Sequence, residues 1–195
     1  MMKMIFIRHG KVKSNLEARY CGCRTDQPVC TEGLAELKDR SVLLRAEAIY
    51  SSPMKRAMQT AKISMPGVPI TVVPAFREMD FGVFEGRTAE EMEFFDPYND
   101  WVDSGCKTKC PGGESMAEFS LRVNTAFTDI VKKADEQGVE RIAIVAHGGT
   151  SLALISEFTN LRCGFFGFMP KHGHGFTADI DMSGEKLRLT EFKEY

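Results

Sequence analysis

Met4-Ile5-Phe6-Ile7-Arg8-His9-Gly10 sets four uninterrupted apolar residues directly before an arginine, a histidine and a glycine. A short apolar run bounded in this way reads as a buried strand, and the charged pair then stands where the strand ends. Arg141-Ile142-Ala143-Ile144-Val145-Ala146 repeats the arrangement, with His147-Gly148-Gly149 directly after it. Two shorter runs, Ala48–Tyr50 and Ile70–Val73, have the same strand character. The first leads into Ser51-Ser52-Pro53, where a serine cap followed by proline predicts a helix start that puts Arg56 in the first turn. The second leads into the loop that carries Glu78.

Helices fill the intervals. Ser115-x-x-Glu118 is a capping box, and Met116, Phe119, Val123, Phe127, Ile130, Val131 and Ala134 keep helical spacing after it until Gly138. A further helix is expected from about Ser151 to Phe158. Phe176–Met182 and Leu187–Phe192 alternate around Ser183-Gly184 and predict a terminal hairpin. Strands alternating with helices argue for an α/β three-layer sandwich with a mostly parallel central sheet and an antiparallel edge. Residues 85–112 break the pattern: a capping box Thr88-x-x-Glu91, the aromatics Phe94, Phe95, Tyr98 and Trp101, and an exit at Pro111-Gly112-Gly113 suggest a small lid-like insertion.

With 195 residues, 43% hydrophobic and 27% charged, the chain is expected to form one domain over 1–195. Its formal net charge of -2 gives no global field to draw in nucleic acid or an anionic membrane, so an anionic substrate must be held by local positive charge. No apolar stretch approaches the length of a membrane span and no leader is evident, which predicts a cytoplasmic protein. Six cysteines stand at 21, 23, 30, 106, 110 and 163. A zinc site from Cys21 and Cys23 with Cys106 and Cys110 is conceivable, but neither spacing is a standard finger pattern, and reduced thiols without metal are expected.

In an open α/β sheet the site lies beyond the carboxyl ends of the strands, where His9, Ser52 to Arg56, Glu78 and His147 all fall. Those residue types suit phosphoryl transfer. Arginine meets phosphate oxygens with a planar fork, a helix N-terminus adds backbone donors, a neutral imidazole can attack phosphorus, and a carboxyl can protonate the leaving oxygen and then activate water. No metal or other cofactor is needed for that set. Taken singly, His147 could cap a helix, Arg56 could be a surface arginine, and Glu78 a solvated loop carboxylate; together these alternatives are hard to maintain. His172 and His174 could line the site mouth or bind an adventitious metal, but the two glycines beside them favour solvated loop residues; the lid aromatics read as a local core before a base-stacking platform.

The chain resembles the histidine phosphatase superfamily, which includes cofactor-dependent phosphoglycerate mutase. The matching positions run in the family's order through nearly the whole sequence: Arg8-His9-Gly10, Asn15, Thr31-Glu32-Gly33, Ser51-Ser52-Pro53 with Arg56-Ala57 and Thr60-Ala61, Glu78 with Phe81-Gly82 and Glu85-Gly86, Gly113-Glu114-Ser115 with Arg122, and Ala146-His147-Gly148. The resemblance implies a phosphoric monoester hydrolase with His9 as the phosphorylated nucleophile, Arg8, Arg56 and His147 around the phosphate, and Glu78 as proton donor. It also implies that Asn15, Cys21, Gly22 and Gly148 approach the substrate phosphate. Lys11 and Val12 depart from the family's usual Glu and Ser/Thr.

Within the family, Arg19-Tyr20-Cys21-Gly22 followed by Thr25-Asp26 is similar to the α-ribazole phosphatases of cobalamin biosynthesis. A sugar-phosphate or broad-specificity phosphatase, phosphoglycerate mutase-like, is the rival within the same chemistry. A phospho-ligand binding protein without activity and a protein phosphatase that acts by docking are the rivals outside it. A small-molecule phosphomonoester is the expected partner; the oligomeric state has no signature in the sequence.

Overall fold

The computed structural model describes residues 1–38, 45–160 and 169–195. Strand β1 (Met2–Arg8) is followed by a short helix α1 (Lys13–Leu16) and by α2 (Thr31–Lys38). Next come β2 (Ala48–Ser51), α3 (Lys55–Ser64) and β3 (Ile70–Val72). After the irregular stretch with α4 (Asp96–Asp103) come α5 (Met116–Glu136), β4 (Arg141–Ala146), α6 (Gly148–Phe158), β5 (Gly175–Asp181) and β6 (Arg188–Glu194).

The six strands form one sheet in the order β3-β2-β4-β1-β5-β6. The first four are parallel; β5 and β6 run antiparallel and make the edge. Alternation along the strands separates two cores. Met4 and Phe6 of β1 with Ile142 and Ile144 of β4 pack with Phe119, Phe127 and Leu154 of α5 and α6 on one face. Ile5, Ile7, Ala143 and Val145 meet Ala57 and Ala61 of α3 on the other. This is the expected sandwich of helices on both faces of a mixed sheet.

Register then places the rim. Arg8 pairs with Ala146, and the His9 amide donates to the Ala146 carbonyl at 2.9 Å, so His9 and His147 leave adjacent strands at one level. Ser51 pairs with Val145, and the Ser52 amide donates to the Val145 carbonyl at 3.0 Å, which sets Ser52 beside His147. Glu78 follows β3 through a single 3-10 turn, Pro74–Phe76.

Two helix starts differ from expectation. Helix α3 begins at Lys55, not at Pro53: Met54 takes the cap position, and Ser52 spends its hydroxyl on the Met54 amide (3.3 Å) and on His147. Arg56 is still in the first turn. Helix α6 begins at Gly148, with His147 in the extended cap position, and its two glycines let Arg8 and Glu78 approach the first turn. The long helix starts as its capping box predicts, with Ser115 Oγ accepting from the Glu118 amide (3.2 Å) and Glu118 Oε2 from the Ser115 amide (2.8 Å).

In the 85–112 stretch the two reciprocal Thr88–Glu91 bonds form, both at 3.1 Å, but only a 3-10 turn, Glu90–Met92, follows, with Ala89 in its cap position. Tyr98 and Trp101 are buried against Tyr20, Phe81 and Phe84 as a local core; Phe94 is not part of it and is 91% exposed. Among the described residues no helix is long and apolar enough to cross a membrane. Cys163 lies outside the described residues; the other five cysteines are unpaired thiols, and burial pushes that of Cys110 up to about 12.

Candidate active site

His9 is 4% exposed and its neighbours decide its tautomer. Its Nδ1 lies 2.8 Å from the Gly10 carbonyl oxygen, which can only accept, so Nδ1 carries the proton and Nε2 the lone pair. Gly10 is itself held, its amide donating to Thr60 Oγ1 at 2.9 Å. Burial, then Arg56, holds the His9 pKa well below the ordinary histidine value, so the ring is neutral at physiological pH.

Arg56 is wholly buried, which removes the surface-arginine alternative. Its Nη1 donates to the Thr25 carbonyl (2.6 Å), Nη2 to those of Gly22 (3.1 Å) and Cys21 (3.4 Å), and Nε to His147 Nδ1 (3.3 Å). By this count one Nη1 proton is uncommitted among the described residues. Cys21 and Gly22 therefore meet the site through carbonyls that hold Arg56, while the Gly22 amide is given to Glu85 Oε2 at 3.0 Å.

His147 is also wholly buried and occupies the α6 cap position without a side-chain capping bond. Because the Arg56 Nε can only donate, His147 Nδ1 accepts, and Nε2 carries the proton that goes to Ser52 Oγ at 2.7 Å. Its ring meets His9 edge-on with centroids 5.1 Å apart. Burial and Arg56 keep it neutral as well.

Glu78, 8% exposed, is no solvated loop carboxylate. Oε1 accepts from the Met79 amide (3.0 Å) and Oε2 from that of Gly149 (3.3 Å) in the first turn of α6. Burial raises its pKa above the ordinary value, against the pull of those amides and of Arg56 and Arg8, which extends the life of the acid form. A side chain at Gly149 would stand 2.5 Å from Oε1, so only glycine lets the helix approach this closely. Arg122 fixes the loop from behind, donating to the carbonyls of Ala75 (2.6 Å), Arg77 (2.9 Å) and Glu78 (3.1 Å) and to Glu114.

Arg8 donates from Nη1 to the Pro170 carbonyl at 2.8 Å, and Gly148 abuts it: a Cβ there would come within 3.3 Å of the guanidinium carbon. Asn15 uses its side-chain oxygen locally, accepting from the Val12 amide at 3.0 Å to cap α1. Lys11 is paired with Glu36 at 2.5 Å on the surface.

His172 is the main departure. It is not a solvated loop histidine: its ring packs on His9 with centroids 5.4 Å apart, and burial beside Arg8 brings its pKa down to about 3. The glycines that suggested an open loop serve to fold it inward. The supporting roles of Ser52, Thr60, Glu85, Glu114 and Arg122 are not legible in the sequence, although all five stand within the matching motifs quoted above as bare identities.

The sequence signature of the histidine phosphatase superfamily (branch 1) matches residues 4–193. The chain belongs to the histidine phosphatase superfamily. A relative in Hydrogenobacter thermophilus, provisionally named phosphoserine phosphatase 2, is 33% identical over 97% of this chain and 94% of its own. One in Enterobacter sp. (strain 638), provisionally named phosphoglycerate mutase GpmB, is 31% identical over 83% of this chain and 76% of its own. Among solved structures, the α-ribazole phosphatase of Shigella flexneri superposes with a TM-score of 0.82 at 25% identity, over 97% of this chain and 96% of that one. The expected enzyme class, a phosphoric monoester hydrolase, agrees with this histidine phosphatase membership and with relatives named as phosphatases.

Proposed function

We propose that the chain hydrolyses a small-molecule phosphomonoester by way of a phosphoryl group carried on His9. The observation that carries this reading is the neutral His9 ring, its Nδ1 proton held by Gly10, beside Arg56 and Arg8, the two cations that Glu78 also neighbours. In the first step Nε2 forms a bond to phosphorus as the bond to the leaving oxygen breaks, and the protonated Glu78 gives that oxygen its proton. The alcohol departs, leaving the Glu78 carboxylate and a phosphorylated imidazole whose positive charge the Gly10 carbonyl stabilises. In the second step water attacks phosphorus, Glu78 takes a water proton, and the P–N bond breaks to release inorganic phosphate and neutral His9. Arg8 and Arg56 stabilise the non-bridging oxygens in both steps, so the chemistry needs no metal.

Glu78 acts as donor and acceptor of the proton rather than as a phosphate ligand, since an ionised carboxylate repels phosphate oxygens. His147, committed on both nitrogens, holds Arg56 and the face of His9. A cytoplasmic setting accords with the unpaired thiols.

For the leaving group, α-ribazole 5′-phosphate is the first compound to try, on the strength of the Arg19 to Gly22 and Thr25-Asp26 similarity and the fold shared with the Shigella protein. A sugar phosphate or a broader range is the second reading. It is favoured by Tyr20, Phe81, Tyr98 and Trp101 packing on one another instead of standing open to stack a base. The test is phosphate release from a panel holding α-ribazole 5′-phosphate, phosphoserine, 3-phosphoglycerate, sugar phosphates and p-nitrophenyl phosphate. Turnover of none of them, p-nitrophenyl phosphate included, would leave a binding protein instead of an enzyme.

A further inference from the structure

The loop before β5 is locked onto the nucleophile's own backbone. Gly173, at φ +73, donates its amide to the Arg8 carbonyl (3.0 Å) and also lies 3.2 Å from that of His9, while the Arg8 amide donates to the His174 carbonyl (2.9 Å). This brings the His172 ring against His9, tilted by 55°. Its Nε2 is buried and has no hydrogen-bond partner among the described residues; Arg8 Nε is in the same condition. Both side chains line a recess of about 630 Å³ together with Lys11, Lys171, His174 and Glu36, the last paired with Lys11. Buried nitrogens are ordinarily paired, so two orphans on side chains that line one recess point to an acceptor that a ligand brings.

We propose that His172 is a phosphate-binding residue of this site, its Nε2–H donating to a non-bridging oxygen of the phosphoryl group that His9 receives. This rests on the phosphohistidine reading above and adds to it a fifth side chain. A phosphoryl group in line with His9 Nε2 spreads its three non-bridging oxygens around that axis, and a ring packed beside His9 is placed to meet one of them. Burial, then the cations Arg8, Lys11 and Arg56, keeps the imidazole uncharged, so it contributes an N–H dipole instead of a third full charge. Arg8 Nε, the other orphan, is the natural donor to a second oxygen. The acceptor's chemistry is thus that of a tetrahedral oxyanion.

H172F keeps a flat ring against His9 and removes the N–H; H172Q restores an amide donor of similar reach. Inorganic phosphate and orthovanadate are the probes, titrated calorimetrically. H172F is expected to weaken both by about 10-fold or more, and to slow phosphoenzyme formation from aryl and alkyl phosphates by a similar factor, with H172Q recovering part of each loss. In wild-type protein with ¹⁵N-histidine, saturating inorganic phosphate is expected to move the His172 Nε2 resonance, a reading that needs no variant. Wild-type affinity for phosphate in H172F, or an unmoved Nε2 resonance, would overturn the proposal. Phosphate affinity that depends on His172 in a protein that forms no phosphoenzyme would instead uphold it and sink the phosphohistidine step.

Discussion

The His9 imidazole gives its Nδ1 proton to the carbonyl of its own successor, Gly10, over 2.8 Å. Only Nε2 is left to meet phosphorus. Phosphoenzyme trapped by rapid quenching is therefore expected to carry its label on Nε2 of His9, acid-labile and base-stable, and His9→Ala to abolish turnover with the fold intact. Separation of the two phosphohistidine isomers checks this; label on Nδ1 or substantial activity in His9→Ala would contradict it.

Glu78 is buried with its pKa raised, and in the proposed mechanism its proton matters only to a poor leaving group. Glu78→Gln should slow phosphoenzyme formation from alkyl phosphates by about 10² to 10⁴ and from p-nitrophenyl phosphate far less. The same logic gives a sign to the pH dependence: the alkyl reaction loses rate as pH rises through the Glu78 pKa, above the ordinary carboxylate range, and the aryl reaction does not. Stopped-flow rates for the two classes decide, and equal losses in the variant would make the carboxylate structural.

Arg56 is both charge and clamp, since three carbonyls of the 21–25 loop accept from it. Arg56→Ala should slow aryl and alkyl substrates alike, by about 10² to 10³. It should also cost roughly 3 kcal/mol or more of stability, because hydrogen bonds to a charged group are lost and buried carbonyls are left bare. Arg56→Lys keeps the charge but cannot span the loop, and urea unfolding should show most of the loss persisting.

His9, His147 and His172 are all held below the histidine value of 6.5 in the folded protein. Between their folded values and 6.5 the unfolded chain binds more protons, so this contribution to stability is present above about pH 6.5 and is lost as pH falls. Each such proton contributes a slope of up to about 1.4 kcal/mol per pH unit. Glu78, raised, works in the opposite sense, being one group against three. Urea midpoints are expected to fall from pH 7 to pH 5, and less steeply in His147→Gln; a flat profile would mean that these rings titrate normally.

Chelation offers a further check. Cys23, Asp80 and Glu85 are close enough to hold an ion. However, Glu85 accepts from the Gly22 and Arg24 amides and from Thr25 Oγ1, and Asp80 is paired with Arg24. Exhaustive EDTA treatment should leave phosphate release unchanged; loss with rescue by zinc would assign those three residues a metal.

The parallel half of the sheet was legible because a strand buried on both faces has to be written as an unbroken apolar run, and Met4–Ile7 and Ile142–Ala146 leave no other choice. Their carboxyl ends then located His9 and His147. Helix starts were less legible: Ser52 has the chemistry of a cap, but its hydroxyl is shared with His147, a partner 95 positions away that no local pattern reveals. His172 was misread for a related reason. Glycines on either side signal a turn, and whether a turn faces water or a neighbouring strand depends on pairings such as Gly173 with Arg8, which are made only in three dimensions. Phe94 was grouped with Phe95 by adjacency, although neighbours in a turn point apart.

Strand β5 runs against β1, so it offers its beginning to the rim where every parallel strand offers its end. The segment carrying His172 therefore opens downstream into an edge hairpin, not into a helix that the sandwich must accommodate. Loops after β1, β2 and β4 are bound by the layers they feed; a lineage that lengthens or rewrites them disturbs the whole architecture. Residues 169–174 feed no helix and are tied instead to β1, through Gly173 and His174. Exchanges confined to Met169 through Lys171 would leave Gly173 on β1 and His172 against His9, which makes that short run the place to look when related sequences prefer different phosphorylated compounds.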